Sequence, residues 1–164
     1  MRNTRHLVQS SLFTAVIFVC ITFLHIPNGL GGIIHFGDGL IFLAGALLPL
    51  PYAMVAASLG AGLMNWHVGS PFLPFTLAIK PLLTMFFTSR QPNILCKQNY
   101  GAPFLAATLN TGLYAIANGI LFGGRPAAIA SIPALLIQGG ASIAFYFILA
   151  YFLDKAQFKR RILQ

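Results

Sequence analysis

The sequence predicts an all-α integral membrane protein with six transmembrane helices, short second and third helices, and both termini in the cytoplasm. Composition is the first reason. Of 164 residues, 57% are hydrophobic and only 7% charged, with a mean hydropathy of +0.80. Soluble domains carry roughly 25% charged residues, so this chain lacks the polar surface to cover a core in water, and lipid takes the place of the outer solvent. The second reason is a series of apolar blocks separated by short polar or Gly/Pro breaks. The third is the placement of the basic residues at the two ends and in one central loop, the distribution that sets orientation in a bilayer. No long polar linker divides the chain, so residues 1–164 read as a single six-helix membrane domain.

The first block, 7–26, is long enough to cross a hydrocarbon core of about 30 Å. Arg2 and Arg5 precede it as they would a signal peptide. It lacks a small-x-small cleavage site before Pro27, however, and reads as a retained helix. Pro27, Asn28 and the glycines Gly29, Gly31 and Gly32 then predict a flexible loop. Apolar character resumes at His35 and runs to Trp66, which as one helix would reach roughly 45 Å. Pro49-Leu50-Pro51 interrupts it, because proline removes a helical hydrogen bond and clashes with the preceding turn. The stretch therefore divides into short helices over 36–49 and 52–67. A fourth span covers 72–88, followed by a polar loop, 89–100, that holds Arg90 and Lys97. The fifth covers 101–122, and after a turn at Gly123-Gly124-Arg125-Pro126 the sixth covers 127–153. With six spans Arg2, Arg5, Arg90, Lys97, Lys155, Lys159, Arg160 and Arg161 all fall on the cytoplasmic side and Arg125 falls outside. Five spans would split that set across the membrane, against the positive-inside bias.

Charge excludes one class of function. Net charge is +8, ten Lys/Arg against Asp38 and Asp154, a balance that would suggest nucleic acid in a soluble protein. Here the basic residues lie between apolar blocks with no basic, aromatic-bearing surface element, so nucleic acid is not expected as a partner and the bilayer is. Cys20 and Cys96 belong to different depths and are expected to stay unpaired. No Cys/His cluster suggests a metal, and no cofactor is expected. A G-x-x-x-x-G-K-[ST] phosphate loop is also absent, so any ATP-driven work must come from a partner.

Lys80 stands out, because a lysine inside an apolar span costs several kcal/mol unless it is paired or wet. It fits a pocket cation that holds a polar part of a substrate, a structural ion pair, or a side chain snorkelling beside Pro81. Asp38 opens the second span, where the helix dipole favours an acid; it reads as a cap, as a partner of Lys80, or as a ligand contact. His35 lies three residues earlier. On the fifth span Asn110, Tyr114 and Asn118 recur at four-residue spacing, one polar stripe on an apolar helix. Such stripes bond neighbouring helices, but a phenol ring between two amides also suits a planar heterocycle. Gln138, with Ser142 and Tyr146, makes a weaker stripe on the sixth span. Asn65 and Trp66 end the third span, where Trp is either an interfacial anchor or a pocket wall. Ser11 and Ala15 form a small-x-x-x-small pair that permits close helix approach.

Three stretches carry a family resemblance: Ile34-His35-Phe36-Gly37-Asp38, Leu43-Ala44-Gly45-Ala46-Leu47-Leu48-Pro49 and Ala57-Ser58-Leu59-Gly60-Ala61-Gly62-Leu63, with Pro74-Phe75-Thr76-Leu77-Ala78-Ile79-Lys80 continuing the pattern. In these motifs, in size and in its basic ends, the chain resembles the S components of energy-coupling factor (ECF) vitamin transporters. Among them it is most similar to the riboflavin-type branch that includes hydroxymethylpyrimidine and pyridoxine carriers. The resemblance implies a substrate-capture subunit of a bacterial plasma membrane. It would bind a small aromatic vitamin from outside, join a transmembrane coupling protein and two ATP-binding subunits, and topple to release its substrate inward. It also implies that Ser11 and Ala15 dock the coupling protein, although the family has alanine where this chain has Ser11. A site lined by Lys80, Asn110, Tyr114, Asn118 and Gln138, with His35, Asp38, Asn65 and Trp66, is expected in the outer half of the membrane under the loop 28–34. No enzyme motif appears: there is no G-x-S-x-G elbow, no H-E-x-x-H, and no nucleophile beside an oriented base. A standalone facilitator or scaffold, and less favourably a small membrane enzyme, are the alternatives.

Overall fold

The computed structural model describes residues 2–27 and 33–163. Six helices, α1 (Arg2–Phe23), α2 (Gly37–Leu47), α3 (Leu50–His67), α4 (Leu73–Leu83), α5 (Lys97–Phe122) and α6 (Arg125–Lys155), form a bundle, and a short α7 (Phe158–Leu163) follows. Between α1 and α2 the strands β1 (His25–Pro27) and β2 (Ile33–His35) pair antiparallel, His25 opposite His35. The loop expected to close over the site falls partly on residues 28–32, outside the described residues.

The prolines act where the sequence places them. α2 ends before Pro49, the N-cap of α3, and Pro51 lies in the first turn of α3, where its missing N–H costs nothing. Several helix ends differ from expectation. α1 stops at Phe23, because the chain passes into the hairpin that satisfies its backbone instead. The expected fourth span does not stay α-helical to residue 88: α4, with Pro81 inside its last turn, ends at Leu83, and Thr84–Phe86 tighten into a 3₁₀ turn. α5 begins at Lys97 and tolerates Pro103 within its second turn. Arg125 and Pro126 belong to the start of α6 rather than to the turn. That turn is made by Gly123 and Gly124, whose φ values of 120° and 75° suit glycine. α7 was not expected at all. It holds Lys159 buried, with Nζ donating to the Ala46 carbonyl at 2.8 Å in the last turn of α2. Burial there pushes the ammonium pKa below the ordinary lysine value.

α2 is the axis of the bundle, with every residue buried; apart from Asp38 in its first turn its sequence is apolar all round, as a central helix requires. Ile41, Phe42, Phe87, Leu83 and Tyr146 form the core around it, with Phe42 and Phe87 stacked at 5.4 Å between centroids. α1 packs on α3, α3 on α4, and α5 on α6. The α1–α3 approach depends on Gly60, where a Cβ would lie 2.8 Å from Ile17 and 3.0 Å from the Thr14 carbonyl. Large apolar side chains face outward instead: Leu12 and Val19 on α1, Ile116 and Ile120 on α5, Leu136 and Phe152 on α6. An exterior of this kind is stable only against lipid. α1, α5 and α6 are long and apolar enough to cross a membrane, whereas α2 and the α4 segment are shorter apolar helices. At 1.5 Å per residue α2 reaches only about 17 Å. The depth it leaves unfilled beyond its N-terminus is where the cavity lies.

Candidate substrate cavity

The N-terminal end of α2 opens on a cavity of about 460 Å³, within the range of roughly 300–1,000 Å³ usual for small-molecule sites. Lys80, Asn110, Tyr114, Asn118, Gln138, His35, Asp38 and Asn65 all line it. Trp66 does not: it is 71% exposed and turned away, because one residue along α3 from inward-facing Asn65 rotates the side chain by about 100°.

Lys80 enters from α4 and Asp38 from the first turn of α2. Nζ donates to Asp38 Oδ1 at 2.6 Å and to Asn110 Oδ1 at 3.2 Å, and it stands 4.9 Å from the centroid of the Tyr114 ring. The snorkelling reading is overturned, since the side chain is buried at 5% exposure and turned inward. The pair reading is met, and the pair itself borders the cavity. Asp38 is not the N-cap; Phe36 occupies that position without a side-chain cap. Lys80 and Asp38 are the only Lys, Arg, Asp or Glu among the described lining residues, so their formal charges cancel.

On α5 the four-residue stripe turns one face to the cavity. Tyr114 Oη shares a 2.7 Å hydrogen bond with Thr76 Oγ1, which accepts another from Asn65 Nδ2 at 3.0 Å, joining α3, α4 and α5. Phe72 tilts against the Tyr114 ring at 6.0 Å, giving the cavity an aromatic wall. Asn118 Nδ2 donates back to the Tyr114 carbonyl at 2.8 Å. Gln138 behaves otherwise than expected, its amide being engaged by the backbone of β2. Sequence reasoning missed Thr76, Phe72 and His25. Thr76 was within reach, since it precedes Lys80 by four residues and so shares its face of α4. His25 and Phe72 depend on the hairpin and on the α3–α4 turn, which carry no sequence pattern of their own.

At the other end of the molecule Asp154 accepts the N–H groups of Ile94 and Leu95 at 2.7 and 2.8 Å, and Asn99 holds Thr88 and Ile94, fixing the polar loop. Ser11 and Ala15 are exposed on the outer side of α1, while Ser10 on the inner side donates to the Tyr52 carbonyl at 2.8 Å.

A helical bundle with an apolar exterior, and at one end a cavity that carries a neutralised ion pair and several amides, defines an all-α, multi-pass membrane protein with room for a small molecule. The model of the family described as ECF-type riboflavin transporter, S component, matches residues 1–155, and the chain belongs to that family. It is therefore the substrate-binding subunit of an ECF transporter and not an enzyme; such subunits bind a small vitamin and work with a membrane coupling protein and ATPases. No curated protein and no solved structure gives a significant match.

Proposed function

We propose that the chain captures a small, planar, uncharged aromatic vitamin or vitamin precursor, hydroxymethylpyrimidine- or pyridoxine-like, from outside a bacterial plasma membrane. It hands that ligand to an ATP-driven module of one coupling protein and two ATP-binding subunits. The observation that carries this reading is the cavity chemistry. Phe72 and Tyr114 supply aromatic surface, Asn65, Asn110 and Asn118 supply amide groups to the same lining, and the one ammonium is neutralised by Asp38. An anionic ligand would compete with Asp38 for Lys80 and leave a buried carboxylate uncompensated, at a cost of several kcal/mol. A neutral ring with hydroxyl or amine substituents meets no such penalty. A second reading, a fused-ring flavin, is favoured by the name of the matching family and by the 460 Å³ available.

Native mass spectrometry of the purified protein, followed by titration with riboflavin, pyridoxine and hydroxymethylpyrimidine, tests both readings. One of the three is expected to be retained and to bind tightly, and its phosphate ester to bind at least tenfold more weakly. Equal affinity for the phosphate ester would remove the charge argument. In the proposed topology, six spans with both termini inside, the cavity opens outward. In a background lacking Cys20 and Cys96, a cysteine at Arg125 should react with a membrane-impermeant maleimide in intact cells, and one at Asn93 should stay protected. The reverse labelling would invert the protein.

A further inference from the structure

Behind the cavity wall, side chains from α3, α4 and α5 form a chain of hydrogen bonds whose direction follows from what each group is able to donate. Thr76 on α4 is 0% exposed and is not among the described lining residues, whereas Asn65 and Tyr114, its partners on α3 and α5, both line the cavity. The chain starts at Ala61. Its carbonyl can only accept, so the Asn65 side-chain atom 3.2 Å away is the NH₂ group, which fixes the orientation of the amide. The same nitrogen reaches Thr76 Oγ1 at 3.0 Å, so this hydroxyl oxygen accepts and keeps its own hydrogen to give. Among the described residues its other partner is Tyr114 Oη, at 2.7 Å. If the phenol donated instead, the threonine hydrogen would be sealed from water without an acceptor, at the full desolvation cost of a buried donor. A spare hydrogen costs less on Tyr114, which borders open space.

We infer that Thr76 is a positioning residue: it donates to Tyr114 Oη and thereby leaves the phenol hydrogen for an acceptor on the ligand, a ring nitrogen or a carbonyl oxygen. Lys80 supports the same polarity. Its ammonium accepts nothing, stands 4.9 Å from the centroid of the Tyr114 ring, and has one N–H left after Asp38 and Asn110. Both groups therefore offer donors to the same part of the cavity. That the acceptor belongs to a captured vitamin rests on the proposed function; the direction of the relay does not.

The relay is read without a ligand from the tyrosine Raman doublet, whose intensity ratio is high when a phenol oxygen accepts a strong hydrogen bond and low when the phenol only donates. The contribution of Tyr114 is the difference between each ligand-free protein in nanodiscs and its Tyr114→Phe counterpart. It should show the acceptor pattern in the wild type, keep it in Thr76→Ser and lose it in Thr76→Val. A donor pattern in the wild type or in Thr76→Ser, which need no valine variant to fold, would overturn the inference, as would an unaltered pattern in Thr76→Val. Binding of riboflavin, pyridoxine or hydroxymethylpyrimidine, whichever the wild type takes, should weaken about tenfold in Thr76→Val, roughly one hydrogen bond, and survive in Thr76→Ser. In a Tyr114→Phe background Thr76→Val should cost no further affinity, because it acts through the phenol. Fully additive losses would make Thr76 a residue of the fold alone and sink the relay. A wild type that takes none of the three compounds would count against the proposed function, and the Raman doublet would still decide the direction of the bonds.

Discussion

Lys80→Met should destabilise the ligand-free protein steeply and weaken vitamin binding at least tenfold, about 1.4 kcal/mol. Methionine keeps most of the side-chain length, so packing in α4 changes little while the charge disappears. Asp38, 3% exposed and 2.6 Å from the missing ammonium, is then a buried carboxylate without its counter-charge. Breaking such a pair from one side typically costs about 3–5 kcal/mol. The double variant Asp38→Asn with Lys80→Met removes both charges and should recover most of the lost thermal stability, because two neutral groups carry far less desolvation cost. Binding should not recover with it, since the cavity still lacks the ammonium donor beside Asn110 and Tyr114. Thermal unfolding and ligand titration on the three variants read the two effects separately. Full affinity in the double variant would take the pair out of ligand recognition, and an unaltered melting temperature for Lys80→Met would take it out of the fold.

Ala15→Trp should reduce uptake in cells at least tenfold and leave binding by the isolated protein intact. Ala15 and Ser11 are exposed one turn apart on α1, and the side of the helix carrying Ser10 and Ile17 is buried against α3. A bulky ring at Ala15 therefore meets nothing within this chain but blocks close approach by a partner helix, which small residues permit. Transport assays with the complete ECF module, alongside binding to the purified subunit, decide the matter. A parallel fall in both would mean that Ala15 serves the fold and that the docking surface lies elsewhere.

Composition and charge placement made the membrane class legible, because lipid imposes one-dimensional constraints that a sequence displays directly: long apolar runs, prolines between them, and basic residues in the loops. The break at Pro49-Leu50-Pro51 could be read without the structure because proline acts locally. The polar residues of the cavity were also visible one by one. A lysine, an aspartate and a file of amides in apolar helices violate the local pattern wherever they occur, and a four-residue repeat places Asn110, Tyr114 and Asn118 on one face whatever the fold.

How those residues meet was not in the sequence. Lys80 and Asp38 lie 42 positions apart, and only the packing of α2 beside α4 turned three readings of the lysine into a pair at the cavity wall. Asn65 and Trp66 were candidates together at the end of the third span, and a single helical step separated their fates. Gln138 had the same polar character as the stripe on α5, yet tertiary structure set it against a strand backbone 103 positions earlier. Local rules determine which residues are polar, where helices break and which face they share. Which polar group satisfies which is decided by contacts between distant segments, and in an apolar medium that choice separates a residue with bonding capacity left for a ligand from one already spent on the fold.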